Sequence, residues 1–211
     1  MLAQVVLFDG FDPLDVVAPY EVLFAGGMVG AGAVAVELAS AEGVREVPSG
    51  AGPVPLRATT ALDPARADLI VVPGAAGRIT EEVQQILGRA LETGLPDLLR
   101  ESCARPGLTV STVCGGSLLL AMCGLLEGRH ATTHHLGNDA LSAHGAVAVD
   151  ARVVDDGDLV TGAGVTSGLD LALHLLDREI GPRVAHAVEQ LFPHERRGVV
   201  WRADGRVPVA V

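Results

Sequence analysis

The residues best suited to chemistry lie in one short run, Thr109-Val-Ser-Thr-Val-Cys114-Gly115-Gly116-Ser117-Leu-Leu-Leu-Ala. The apolar residues up to Val113 read as a strand and the Leu-rich residues after Gly116 as a helix, so Cys114 falls on the turn between them. A nucleophile on such an elbow projects beyond the carboxyl edge of a sheet, and small neighbours let the tight turn close. The unpaired N–H groups of the following helix favour thiolate over thiol, which predicts a lowered pKa for Cys114. A thiolate attacks electrophilic carbon, so the expected chemistry is covalent catalysis. Cys103 sits in a polar helical stretch and Cys123 among apolar neighbours, and neither has an activating context.

The elements that must position Cys114 follow from periodicity. Short apolar runs over 4–8, 33–39, 67–72 and 108–113 predict strands covered on both faces. Helical spacing marks 15–24, 81–91 with Thr80 as its cap, a stretch after Pro96, and 116–126. The Pro- and Gly-rich residues 42–58 read as an irregular hairpin region. Further on, 138–144 predicts a short helix, while 146–151, 153–155 and 159–161 predict small strands around the turn Asp155-Asp156-Gly157-Asp158. Helices over 169–180 and 183–192 close the pattern, with Gly181-Pro182 between them. Alternating strands and helices without repeats or a long linker predict one α/β domain over 1–211, built on a mainly parallel sheet.

Composition bounds the function. Of the 211 residues 49% are apolar and only 3% aromatic, which predicts a core tiled with small aliphatic side chains. The net charge of −11 argues against nucleic acid and anionic membranes as partners. The longest apolar stretch, 118–126, falls short of the roughly 20 residues a spanning helix needs. An N-terminus with no basic region or cleavage site, and three cysteines that cannot all pair, imply the cytoplasm.

Two further positions bear on Cys114. Asp15 opens the first predicted helix, where an acid stabilises the helix dipole or serves as a proton carrier. Glu21, six residues on, turns roughly 240° away at 100° per residue and belongs to another face, in a structural or dimer-associated role. His134, His135 and His144 form the densest histidine cluster, but adjacent histidines on a strand point apart and no metal-binding spacing occurs, so no metal is expected.

Five blocks together resemble the DJ-1/PfpI superfamily of class I glutamine-amidotransferase-like domains, and within it the isonitrile hydratase group. They are Val5-Val-Leu-Phe-Asp-Gly with Leu14-Asp15-Val-Val-Ala-Pro19-Tyr20-Glu21-Val22-Leu23, Asp68-Leu-Ile-Val-Val-Pro73-Gly74, Val113-Cys114-Gly115-Gly116-Ser117, Gly124-Leu-Leu-Glu-Gly128-Arg-His-Ala-Thr132-Thr133-His134, and Thr161-Gly-Ala-Gly164-Val-Thr-Ser167-Gly168-Leu169-Asp170. The resemblance implies a flavodoxin-like three-layer sandwich, a homodimer, a small-molecule substrate and no cofactor. It implies catalytic roles for Cys114 and Asp15, backbone donors from Gly74, Ala75 and Gly115, a pocket role for Thr133 or His134, and an architectural role for Asp170. Ala75 stands where the family usually has a second glycine, and matters only if that position needs a positive φ.

Gly115 follows the nucleophile where PfpI-type proteases carry histidine and isonitrile hydratases usually threonine, which disfavours protease chemistry. The resemblance implies conversion of an isonitrile and water to an N-substituted formamide through a thioimidate on Cys114. Two alternatives remain: DJ-1-type action on α-dicarbonyl compounds, and a ligand-sensing module like the amino-terminal domains of AraC-type regulators. Those regulators continue into DNA-binding helices, whereas this sequence ends at Val211, which is expected to disfavour regulation.

Overall fold

The computed structural model describes residues 1–206. Its elements run β1 (Leu2–Leu7), α1 (Pro13–Val29), β2 (Ala35–Ser40), β3 (Arg45–Val47), β4 (Leu56–Ala58), β5 (Thr60–Ala61), β6 (Leu69–Val72), α2 (Thr80–Ala90), α3 (Leu95–Ala104), β7 (Thr109–Val113) and α4 (Gly116–Met122). They continue with β8 (His130–Ala131), a 3-10 turn (His135–Gly137), α5 (Asn138–Ala143), β9 (Val147–Ala148), β10 (Val153–Asp155), β11 (Leu159–Gly162), α6 (Ser167–Glu179), α7 (Pro182–Leu191) and β12 (Trp201–Arg202). Eight strands form one sheet in the order β12-β10-β11-β7-β6-β1-β2-β5, parallel except where β10 and β11 pair antiparallel. Helices cover it as the third and first layers of a flavodoxin-like sandwich, with α1, α6 and α7 packed together on one side.

The central strands explain themselves: β6, Leu-Ile-Val-Val, is buried along its whole length, as a parallel strand under helices on both faces must be. Small residues set the spacing of the layers. A Cβ on Gly26 would lie 2.4 Å from Leu176 Cδ2, and one on Gly27 would lie 2.2 Å from the Val34 carbonyl, so α1 packs onto α6 and onto the chain entering β2 through bare glycine. The chain runs from β1 to β2 in one direction and returns to β6 on the other side, which leaves a crevice at the carboxyl ends of β1 and β6. Residues 9–15, 73–77, 114–116 and 162–165 converge near that edge.

Several boundaries differ from expectation. Thr80 is the first residue of α2 and makes no cap; extended Ile79 precedes it, and Glu82 of the first turn pairs with Arg78 at 2.7 Å. The helix expected over 116–126 stops at Met122, because Cys123 caps it and Gly124 takes a φ of 74°. The expected 146–151 strand shrinks to β9, which pairs only with β8. The expected hairpin region does contain one, β3 against β4.

The acidic turn after β10 anchors the sheet edge. Asp155 is buried; it accepts from His174 Nε2 at 2.7 Å, Arg178 at 3.1 Å and the Gly157 N–H at 3.0 Å. Burial pushes its carboxyl up, but these three partners outweigh burial and bring it from 3.8 down to about 2. A carboxylate whose pKa is lower folded than unfolded contributes stability that is present above the unfolded value and lost as pH falls through the folded one. The stability gap between wild type and Asp155→Asn, read by urea unfolding, is therefore expected to be largest above pH 5 and to shrink as pH falls towards 2; a gap that holds constant over that window would contradict the assignment.

Candidate active site

At the end of β7 the chain turns sharply, and Cys114 adopts a φ of 54°, the left-handed region that a side chain enters only when its surroundings hold it there. Three contacts do so. Its N–H is shared between the Gly162 and Ala163 carbonyls at 3.0 and 2.9 Å, and its carbonyl accepts the Thr133 hydroxyl at 2.6 Å. A buried chain of hydroxyls then ties the elbow to the sheet. Ser117 Oγ lies 2.6 Å from Thr112 Oγ1 and donates to the Thr132 carbonyl at 2.6 Å, and the Thr132 N–H donates to Thr161 Oγ1 at 2.9 Å.

The first turn of α1 supplies the acid. Asp12 caps the helix by accepting from the Leu14 N–H at 2.9 Å, and Asp15, fully buried, turns inward instead of serving the helix end. Asp15 Oδ2 accepts from the Gly74 N–H at 2.9 Å, while Oδ1 is buried with no hydrogen-bond partner. Burial raises the carboxyl pKa well above the ordinary carboxylate range, helped by the nearby charge of Asp12 and opposed by the Gly74 N–H and the Cys114 thiol. Asp15 therefore carries a proton under conditions where an exposed aspartate would not.

The thiol departs from expectation. Cys114 is pushed up to about 12, first by burial and then by the Asp15 carboxylate, although the Gly115 and Val165 N–H groups both stabilise the thiolate. The helix-end donors are present as the sequence implies, but desolvation and a facing acid outweigh them. Cys114 and Asp15 form a pair that holds its protons.

The backbone donors are divided differently from the sequence reading. Gly74 gives its N–H to Asp15 and has none left for a substrate. The Ala75 N–H takes part in none of the turn and loop hydrogen bonds, and Ala75 is outside the left-handed positions, so its Cβ costs nothing there. Thr133 is buried against the elbow and spends its hydroxyl on the Cys114 carbonyl; it braces the nucleophile and does not face the cavity. His134 does face it. Its Nδ1 accepts from the Leu136 N–H at 3.3 Å, leaving Nε2 as the protonated nitrogen, and burial together with His135 lowers its pKa, so the ring is neutral. His134 caps the 3-10 turn that His135 begins, which brings their rings to 4.2 Å at 34° rather than turning them apart as on a strand. Gly164 is bare because a Cβ would stand 2.8 Å from the His134 ring.

Cys114 and Gly115 open into a cavity of about 360 Å³ whose other walls include Ala75, Leu87, Leu118, His134, Leu136 and Val165. A volume of this kind, mostly apolar with a few convergent polar groups, suits a small organic molecule. The Leu87, Leu118 and Leu136 walls and the Val165 donor were not legible as functional, because their types are those of core residues. Asp170 is remote from this cavity; it accepts from Arg152 at 2.7 Å and from the Arg197 N–H at 2.7 Å, and so holds the C-terminal segment onto α6. Cys103, raised to about 11 chiefly by burial, and Cys123, raised by burial, lack activation. Glu21 is exposed on the outer face of α1, away from Asp15.

Residues 1–178 match the DJ-1/PfpI family model. The chain is 36% identical over 188 residues to the isonitrile hydratase of Pseudomonas putida, an alignment that spans 87% of this chain and 74% of that one. It is also 36% identical over 106 residues to the HTH-type transcriptional regulator CdhR of Pseudomonas aeruginosa, across 49% of this chain but only 31% of the regulator. Among solved structures, a ThiJ/PfpI family protein from Pseudomonas syringae superposes with a TM-score of 0.78 at 27% identity, covering 93% of this chain and 76% of that one.

The coupling between Asp15 and Cys114 sets the sign of one measurement. Removing a negative neighbour lowers a thiol pKa, so in Asp15→Asn the pH midpoint of Cys114 alkylation by iodoacetamide is expected to fall by at least about one unit, given that a facing charge shifts a pKa by about 1–3 units. A midpoint that stays or rises, read on the Cys114 peptide by mass spectrometry, would remove Asp15 as the facing charge.

Proposed function

Because the chain belongs to the DJ-1/PfpI family, we propose that it is a cysteine-dependent hydratase, a single catalytic domain that converts an isonitrile and water to an N-substituted formamide. The observation that carries this reading is a fully buried carboxyl of raised pKa facing a thiol that is itself protonated. An isonitrile carbon bears a lone pair and is a base before it is an electrophile. Placing a proton on that carbon makes it open to sulfur, so a resident acid and a thiol suit it better than a free thiolate with no acid beside it.

In the proposed sequence the carbon takes a proton from Asp15 as the C–S bond forms, and the thiol proton returns to the carboxylate. The product of this half is the thioimidate R–N=CH–S on Cys114. Water then adds to the same carbon as Asp15 gives its proton to the nitrogen and takes one from the water, leaving R–NH–CH(OH)–S on Cys114. The C–S bond breaks as the hydroxyl proton passes to the sulfur, and the formamide leaves with Asp15 and Cys114 both protonated again. Gly115 and Val165 N–H groups stabilise negative charge on the departing sulfur, and the Ala75 N–H and His134 Nε2 are the donors available to the substrate nitrogen. No step draws on a cofactor.

The regulator relative supports a second reading, a ligand-sensing domain that binds in the same cavity without turnover. Formamide production, followed by proton NMR with cyclohexyl isonitrile, separates the two. Cys114→Ala is expected to abolish turnover, and Asp15→Asn to lower kcat by roughly 10²–10⁴, the range for a lost general acid. Retained turnover in Cys114→Ala would eliminate the covalent route, and tight binding of the isonitrile by wild type with no product would favour sensing.

The outer face of α1 bears on assembly. Leu14, Val17, Phe24 and Met28 are exposed along it, with Tyr20 stacked on Phe24 at 6.2 Å beside Glu21. An apolar stripe of this kind marks a protein interface, and we assign it to a second copy of this chain, in line with the dimer that the family resemblance implies. Phe24→Asp combined with Met28→Asp is expected to yield a monomer in size-exclusion light scattering; an unchanged dimer would place the interface elsewhere, and a wild-type monomer would dismiss it.

A further inference from the structure

Three glycines, Gly74, Gly115 and Gly116, meet at the elbow, and they are glycine for different reasons. A Cβ on Gly74 would stand 2.6 Å from the Gly115 nitrogen and 2.8 Å from Asp15 Oδ2, and one on Gly116 would stand 2.2 Å from the Val72 carbonyl. Neither contact can be relieved by moving a flexible side chain, so both positions are closed to any other residue. Gly115 lies between them and is different. Its φ of −64° and ψ of −7° are open to every amino acid, and a Cβ there would meet Gly74 Cα at 3.5 Å, the Ala75 nitrogen at 3.7 Å and Leu87 Cδ1 at 3.8 Å, all ordinary van der Waals contacts.

Backbone geometry and packing therefore give no reason for glycine at 115. The consequence falls on the cavity, since Gly115 lines it beside Cys114 and its own N–H reaches the sulfur. A side chain at 115 would occupy space next to the reacting atom and stand over the Ala75 N–H. Leu87 is the side chain that Cβ would meet, and Leu118, Leu136 and Val165 line the same cavity, so the space that glycine leaves has apolar walls.

We propose that Gly115 is a specificity-determining residue: its bare Cα opens the cavity at the sulfur to substrates that carry a bulky apolar substituent, branched at the atom bonded to the reacting group. For an isonitrile this is the carbon attached to nitrogen, which lies within reach of position 115 once the carbon is bound to sulfur. This inference rests on the hydratase reading for its substrate class, but the steric claim stands on geometry alone.

The test compares wild type, Gly115→Ala and Gly115→Thr in two assays. In the first, the ratio of kcat/KM for tert-butyl isonitrile to that for n-butyl isonitrile is expected to fall at least tenfold in Gly115→Thr and by a smaller factor in Gly115→Ala. In the second, Cys114 is labelled with N-cyclohexylmaleimide and N-methylmaleimide, and the ratio of the two rates at the Cys114 peptide is expected to fall in the same order. The maleimide ratio needs no turnover, so a fall there with no formamide from any variant would retain the steric role and reject the hydratase. Ratios unchanged within twofold in the maleimide assay, whatever the absolute rates, would overturn the proposal. Alanine at an αR position restricts the unfolded chain and is compatible with folding, so Gly115→Ala carries the test if the threonine variant does not fold.

Discussion

The hydrogen bond from the Gly74 N–H to Asp15 Oδ2, 2.9 Å long and sealed from solvent, joins the two strands that flank the point where the sheet reverses direction. Asp15 comes from the helix after β1 and Gly74 from the turn after β6, so the bond closes the crevice in which such sheets place their ligands. Burying a carboxyl is costly unless its oxygens are satisfied. Here burial and the nearby Asp12 charge outweigh the bond to Oδ2, and Oδ1 has no hydrogen-bond partner among the described residues, so the group favours its proton. The same approach dictates the sequence around it. Gly74 lies so near both Asp15 and Gly115 that no side chain fits, and Gly116 presses against the carbonyl of Val72. Acid, turn and elbow are thus locked to one another by backbone contact, and moving any one would move the others.

That locking allows the elbow to hold a strained residue. A left-handed side-chain-bearing position costs on the order of 1–3 kcal/mol and persists only where contacts over-determine it. The bonds to Gly162, Ala163 and Thr133 do this from two segments, and the Thr112–Ser117–Thr132–Thr161 chain fixes those segments in turn. Within that chain Ser117 pairs the Thr132 carbonyl and Thr161 the Thr132 N–H, two buried backbone groups that apolar residues at 117 and 161 would leave unpaired.

Much of this was legible in the sequence, and the boundary has a physical cause. The β7–Cys114–α4 turn is a local feature, set by β-branched residues, two glycines and a leucine run, and it reads directly. Asp15 was visible as an acid at a helix start, but its inward turn depends on β6 lying beside β1, a contact between residues 59 positions apart. Thr133 and Gly74 illustrate the opposite limit. Their residue types suit a substrate pocket, yet the partners that consume their donors, the Cys114 carbonyl and Asp15, are identified only by tertiary geometry. The two-residue strands β5, β8 and β12 were missed because so short a segment has no period of its own and pairs only when the sheet edge is already built. The thiol is the clearest case. Helix-end donors, a local property, argue for a low pKa, whereas burial and the facing acid, both tertiary, push it to about 12.

That reversal bears on which chemistry the pair suits. A nucleophile of low pKa is ready at neutral pH but leaves the proton to solvent, and it is exposed to oxidation in proportion to its thiolate character. A pair that keeps its protons is less reactive towards ordinary electrophiles and gains reactivity only when a substrate can accept the proton as sulfur attacks. A carbonyl accepts it on oxygen and a nitrogen base on nitrogen, which separates the sites of protonation and attack by a bond. An isonitrile accepts proton and sulfur on the same carbon, so an acid and a thiol packed side by side by the Gly74 contact can serve one atom. The closeness by which Asp15 raises the Cys114 pKa is then the closeness that a double addition at one carbon requires.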